Sequence, residues 1–337
     1  MTPGSLKSNS WISQLDYTRR KTMKFAARIN SFLRMKNHDI EKTFSDFKGL
    51  SLGYVDLNYP EHCINYSPQE MKALLDCNDL TLNGVALRFR DKFINGELGN
   101  ADPKIAEEAL DLCKKAADYC REAGGHVVTI WLGFDGFDYS FQINYKKVWN
   151  QLVQAYRSIC DYAPDLLISI EYKPYEERAY AFLDSMGLTG MMINEVDRAN
   201  LGITLDYCHM LMKHENPAFA ADLFGSRKQL YGIHANDGYG RCDDGLMVGT
   251  ASPFKTLELL YYLKKNKWDG VIYFDTFPII EDAIKETKSN MEMMEYMDQL
   301  IDKIGLEYIE KIVDRNDAIK ASQLMMEFFK GGTNYGL

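Results

Sequence analysis

Four apolar runs, LLISIE (166–171), LGITLD (201–206), LYGIH (230–234) and GVIYFD (270–275), each finish on an acidic or imidazole side chain. Their last residues, Glu171, Asp206, His234 and Asp275, follow one another at intervals of 35, 28 and 41 positions. Each run is short and rich in Ile, Leu and Val, as in a strand buried on both faces. Each interval leaves room for a helix. One strand ending on a ligand-type residue is commonplace. Four in succession predict a (β/α) barrel whose strand ends converge on a divalent cation, since barrel sites lie at C-terminal strand ends and hard cations take carboxylate oxygens.

Working outward, four earlier runs have the same character: MKFAARIN (23–30), SLGYVDLN (51–58), NGVALRF (83–89) and HVVTIWL (126–132). With LYGIH extended to LYGIHAN (230–236), these and the opening four make eight candidate strands. Helical patterns lie between them, at 103–125 (ending in a Gly pair), 145–164 (ending in Pro) and 253–268 (opening with Pro). Eight β-then-α alternations imply right-handed crossovers and a parallel sheet. Closure is favoured over an open sheet because the polar residues sit at the ends of early and late strands alike, not at one switch point. No GxGxxG or GxxxxGK[ST] follows the first strand, which argues against a dinucleotide or nucleoside triphosphate site. The expected fold is therefore α/β, a (β/α)8 TIM barrel over 23–285, with an N-terminal segment at 1–22 and a C-terminal helical extension at 286–337. In that extension Met294, Met297, Leu300, Ile301 and Ile304 form one apolar stripe, either packed back on the barrel or covering a second subunit.

A chain of 337 residues suits one large barrel as well as two domains. At 46% hydrophobic and 26% charged it is expected to fold throughout. A net charge of −9 weighs against a nucleic-acid partner. The seven cysteines are odd in number and lack a CxxC pair, which reads as reduced, mostly buried thiols. Cys113 and Cys120 are placed on one helix face. The first residues show no signal-peptide core and no apolar run reaches 18 residues, so a cytoplasmic protein without a membrane span is expected.

The chemistry-bearing residues cluster in five places. In ISIEYKP (168–174), Glu171 and Lys173 share a strand face, either as an ion pair or as a metal ligand beside a lysine. In LDYCHM (205–210), Asp206 is followed three residues later by His209. In IHANDGYGRCDDGLMVG (233–249), His234 and Asn236 share a face, and the adjacent Asp243 and Asp244 repel unless a cation lies between them. Asp237 needs no more than a turn-capping role. In YFDTFP (273–278), Asp275 adds a carboxylate. This oxygen-rich set with an imidazole suits Mg2+, Mn2+ or Co2+. In WLGFDGFDY (131–139), Trp131 and Phe134 either wall a pocket, with Asp135 and Asp138 facing a polar substrate, or Trp131 packs in the core.

These motifs resemble the xylose isomerase-like barrels, a family of xylose and rhamnose isomerases, ketose 3-epimerases and the endonuclease IV type of DNA repair enzyme. EYKP is similar to the isomerase E-x-K-P, Asp206-x-x-His209 to the metal carboxylate and its histidine, and WLGFDGFDY to the motif after strand four. HAN followed by CDDGLMVG is similar to the H-x-[DN]…D-x-D-L-x-x-G loop. The resemblance implies a first metal on Glu171, Asp206, Asp275 and either His234 or Asn236, and a second near Asp206, His209 and Asp243. It implies catalytic roles for Lys173, Glu171 and His209, with Lys173 polarising a substrate oxygen, and substrate contacts from Trp131, Phe134, His62 and Asn236. Two departures are visible. Gly245 stands where the loop's second Asp belongs, so one or two ions are expected. The ring-opening histidine is absent from the end of strand two, leaving His62 as the candidate.

The implied activity is a metal-dependent sugar isomerase interconverting an aldose and a ketose by C1–C2 hydrogen transfer with Mn2+, Mg2+ or Co2+, in a homodimer or homotetramer. The alternatives are a ketose 3-epimerase and a degenerate sugar-binding barrel. DNA cleavage would want more than the six histidines present and a basic channel. Asn30, Asn58, Tyr59, Arg88 and Arg90 are the candidate partners for substrate hydroxyls.

Overall fold

The computed structural model describes residues 23–331; the segment 1–22 lies outside them. Eight strands form one parallel sheet: β1 (Lys24–Ala27), β2 (Tyr54–Tyr59), β3 (Thr81–Leu87), β4 (Val127–Trp131), β5 (Leu167–Glu171), β6 (Leu201–Asp206), β7 (Leu230–Ala235) and β8 (Val271–Phe274). Each pairs with its sequence neighbour from β2 through β8, and β8 pairs back to β1. β1 and β2 lie side by side without a ladder, so the barrel is nearly closed. All eight expected runs are strands. The first stops at Ala27, because Ile29–Leu33 turns into a short helix.

Helices alternate with the strands and cover the outside. Pro103–Ala123 is capped by Asp102, whose side chain accepts the Lys104 N–H, and ends at Gly124 in the left-handed region (φ 88°) that glycine adopts without strain. Tyr145–Tyr162 starts on the Asn144 cap, and Pro253 occupies the first turn of Pro253–Lys265. Outward strand residues such as Val55, Leu57, Ile168, Ile170 and Ile203 pack under these helices in one core. Cys113 and Cys120 are both fully buried on Pro103–Ala123.

The inward residues are smaller and more polar. Ala26, Val271 and Tyr273 form a separate cluster against Tyr54. Above it, Asn83 Nδ2 donates to Asp56 Oδ1 at 2.8 Å, and Ser169 Oγ meets Thr204 Oγ1 at 2.6 Å. Strand side chains alternate between faces, so the next inward position on each strand, or just past its end, lies in the barrel mouth. In order these are Arg28, Asn58, Arg88, Trp131, Glu171, Asp206, His234 and Asp275. One half of the mouth is thus acidic with an imidazole, and the other carries two guanidinium groups.

The C-terminal helix Ala283–Ile304 runs across the 285/286 division and packs against Pro253–Lys265 as the last barrel helix. Its stripe of Met294, Met297, Leu300, Ile301 and Ile304 is buried within the chain itself. This corrects the reading in which the stripe covers a second subunit. Two further helices, Leu306–Val313 and Ala318–Phe329, follow. Among the described residues no helix is long and apolar enough to cross a membrane.

Candidate metal centre

The four strand-end residues meet. Glu171, Asp206, His234 and Asp275 are all buried, and each offers a ligand atom within 4.8 Å of the others. His234 Nδ1 lies 3.0 Å from Glu171 Oε1. Burial alone would raise the Glu171 carboxyl, but His234, His209 and Arg88 hold it down at about 2. Asp206 moves the other way: burial, against the pull of His209 and with the neighbouring acids adding, lifts it to about 7. Burial would depress His234, yet Glu171, Asp275 and Asp206 carry it up to about 9.

Asn236 belongs to this centre as a brace. Its amide nitrogen donates to Asp206 Oδ2 at 3.2 Å and to the Asp275 carbonyl at 3.1 Å, while its oxygen accepts the Cys208 N–H at 2.8 Å. Of the two expected alternatives, the imidazole of His234 is therefore the one left facing the acids. Asp206 also accepts the His209 N–H at 3.0 Å, capping the helix Tyr207–Met212. One carboxylate thus starts a helix and faces the cluster.

A second group, Asp206, His209 and Asp243, also comes within 4.8 Å. Here a cation of the chain already stands. Lys173 Nζ lies 3.0 Å from Asp243 Oδ2 and 2.5 Å from Glu176 Oε2. His209 donates through Nδ1 to the Tyr172 carbonyl (2.9 Å) and sets Nε2 3.2 Å from the same Asp243 oxygen. Burial opposes the Lys173 charge, but Asp243 and Glu176 outweigh it and drive the ammonium above its usual range. Lys173 is thus held as an ion pair. Asp244 turns away, accepting the Tyr239 N–H at 2.7 Å, so no cation is needed between the adjacent aspartates. Asp237 is a loop staple, binding Ala251 N, Ser252 N and Ser252 Oγ.

The donor set suits a hard divalent ion: three carboxylates and one imidazole. Within these two clusters, Asp275 Oδ1 and Asp243 Oδ1 are buried without a hydrogen-bond partner. Arg28 Nε is 3.2 Å from Asp275 Oδ1 without hydrogen-bond geometry. Orphaned buried carboxylate oxygens are costly, and a cation at the quartet would relieve the one on Asp275.

Other expected site residues have different surroundings. His62 is buried, with Nδ1 accepting the Asn58 N–H at 2.9 Å and Nε2 bonded to Asn30 Oδ1. Burial lowers it to about 4. This neutral ring has no free nitrogen. Asp135 does not face a substrate: it is buried and accepts the Glu97 and Gly99 N–H groups, both at 2.8 Å. Glu97 in turn accepts the Phe134 N–H at 2.9 Å. This reciprocal clamp joins the loops after β3 and β4. Asp138 is tied to Arg178 Nη1 (2.8 Å) and the Ala179 N–H (2.9 Å). Trp131 lies beneath two cations, with Arg88 5.7 Å and Lys173 5.6 Å from its ring centre. Sequence reasoning missed Arg28 and Glu97. Arg28 carried one usable signal, its place two residues beyond inward Ala26.

An eight-stranded parallel barrel with a buried acid–imidazole cluster at its C-terminal mouth defines the class. The chain belongs to the xylose isomerase-like TIM barrel family, whose pattern it matches over residues 46–297. It is 28% identical over 239 residues to an uncharacterized protein, MJ1311, of Methanocaldococcus jannaschii, covering 70% of this chain and 78% of that one. Among solved structures it is similar to D-psicose 3-epimerase from Clostridium cellulolyticum H10, crystallised with D-tagatose (TM-score 0.67, 15% identity, 82% of this chain and 99% of the other). It is also similar to the IolI protein with a bound zinc atom (TM-score 0.62, 16% identity, 83% and 97%). At these identities the structural likeness speaks for the fold.

Proposed function

We propose that the protein is a single-metal sugar isomerase that moves a proton at the carbon beside a ketose carbonyl, most simply as a ketose 3-epimerase. The observation that carries this is the buried quartet of Glu171, Asp206, His234 and Asp275. These four would hold the ion. When bound, it supplies Lewis-acid polarisation of the substrate's carbonyl and neighbouring hydroxyl oxygens.

The chain's own residues do the rest. Glu171 and Asp275 reach the centre from β5 and β8, giving two carboxylates able to take and return a proton. Asn236 fixes the rotamer of Asp206, and the Tyr172 carbonyl fixes the ring of His209. Lys173 keeps its proton, so it acts as fixed positive charge beside Trp131. Its pairing with Glu176 and Asp243 weighs against its polarising a substrate oxygen in C1–C2 transfer. The likeness to D-psicose 3-epimerase supports the same reading.

Aldose–ketose isomerisation is the second reading. It is favoured by the Asp206–His209–Asp243 grouping, which would hold a second ion if Lys173 swung aside. The two readings separate in deuterium oxide. Chelator-stripped protein is reloaded with Mn2+, Mg2+ or Co2+ and given a panel of ketoses. Inversion at C3 with solvent deuterium at that carbon supports the proposal. An aldose product without solvent deuterium supports C1–C2 hydride shift. No turnover with any metal overturns both.

A further inference from the structure

Arg88 follows β3 and, by alternation with Gly84 and Ala86, faces into the mouth. Its guanidinium sits over Trp131 and is half-buried. Among the described residues it makes no hydrogen bond or ion pair. In a ring of eight strands β3 stands across from β7, which carries His234, so Arg88 occupies the wall opposite the metal quartet. Its charge is felt at Glu171, His62 and Tyr273. At the end of β1, Arg28 presents a buried Nη1 with no partner, its Nε being turned to Asp275.

The space next to Arg88 is open. A cavity of about 720 Å3, lined by none of the quartet residues, is bordered by Arg88 with Pro60, Glu61, Arg90, Phe93 and Leu112, so Arg88 stands between it and the mouth. The charges facing it are mixed. Glu61 is bonded to Asn30 Nδ2 (3.0 Å), Arg90 to the Phe89 carbonyl (3.3 Å) and Lys92 to Glu108, while Asp91, Asp111 and Lys115 lie along the edge. Of the cations there, Arg88 and Lys115 make no hydrogen bond or ion pair among the described residues, and of these two Arg88 is the half-buried one while Lys115 is exposed to water. A guanidinium drawn out of water with five unmet donors is costly, and its fork matches a carboxylate or phosphate.

We propose that Arg88, supported by Arg28, binds an anionic group on the substrate, so that the substrate class is a ketose bearing a carboxylate or a phosphate rather than a neutral sugar. This rests on the sugar isomerase reading for what the rest of the substrate is. The carbonyl end lies at the quartet and the anionic end at the β3 wall.

The test has two arms. Calorimetric binding to chelator-treated protein uses D-fructose, D-fructose 6-phosphate, D-fructuronate and inorganic phosphate. Turnover with Mn2+ uses the three sugars. The expected result is that one of the anionic sugars binds roughly tenfold or more tightly than D-fructose, the scale of a charge-assisted contact. Which of them does so separates phosphate from carboxylate. Arg88→Gln should abolish the preference and Arg88→Lys retain part of it, with each variant's melting curve establishing that it is folded. Equal binding of neutral and anionic sugars, or a preference unchanged in a folded Arg88→Gln or Arg88→Lys protein, overturns the proposal. Turnover of neutral ketoses without discrimination would sink the anion site and leave the isomerase reading standing. Arg88-dependent anion binding with no turnover of any sugar would do the reverse.

Discussion

Lys173 and Asp243, 70 positions apart in sequence, form a buried ion pair (Nζ to Oδ2 3.0 Å, side chains 11% and 9% exposed) that ties the loop after β7 to the end of β5. The pair places a built-in cation where a second metal was expected, and it holds His209 in its hydrogen-bonded position on Asp243. Removing one partner strands a buried charge, at a cost of about 3–5 kcal/mol. Lys173→Met is therefore expected to destabilise the fold by about that amount. The double variant Lys173→Met/Asp243→Asn should recover part of it, with a coupling of about 1–3 kcal/mol. Urea unfolding of the cycle measures this, and additive single effects would show that the two side chains do not cooperate.

Asn236 is expected to govern metal affinity without being a ligand. Asn236→Ala frees Asp206 from its amide donor and leaves the Cys208 N–H unmet. Loss of such a brace weakens metal binding about 10–100-fold. Competitive chelator titration of the folded variant reads the change directly. An unaltered affinity would mean that Asp206 is oriented by something else.

The Glu97–Asp135 clamp gives a pH signature. Burial is the main cause that raises both carboxyls, Glu97 to about 9 and Asp135 to about 6. The fold thus holds a proton that the unfolded chain has lost. The associated stability is complete below the ordinary value of 4.5 and disappears as the pH climbs to about 9. Glu97→Gln keeps an oxygen for the Phe134 N–H and cannot ionise. Its melting temperature should exceed that of the parent at pH 9 and converge with it, or fall slightly below it, near pH 4.5. Parallel curves across that range would contradict the clamp.

Gly84 lets β3 approach β4. A Cβ there would lie 2.2 Å from the Val127 carbonyl oxygen. Gly84→Ala is expected to cost about 1–3 kcal/mol in urea unfolding as the strands are pushed apart. An unchanged midpoint would mean that the two strands have slack the structure does not indicate.

Much of this was legible in the sequence, for a physical reason. A buried parallel strand is a run of Ile, Val and Leu, and the first polar residue at its end has to face the mouth or find a partner. That made Glu171, Asp206, His234 and Asp275 readable one strand at a time. Residues whose partners lie far along the chain were not readable in this way. Nothing local in YKPYEE says that Lys173 will meet Asp243, and nothing in INGELGN says that Glu97 will be buried against Asp135. The stripe of helix Ala283–Ile304 was readable as apolar but not as to what covers it, since a last barrel helix and an interface helix have the same pattern.

The most direct measurement is anomalous scattering from crystals soaked in Mn2+. The expected map has one peak per chain, about 2.1–2.4 Å from oxygens of Glu171, Asp206 and Asp275 and from a nitrogen of His234, with Lys173 still on Asp243. No peak at that position, or an ion bound by Asp206, His209 and Asp243 with Lys173 displaced, would contradict the single-metal account.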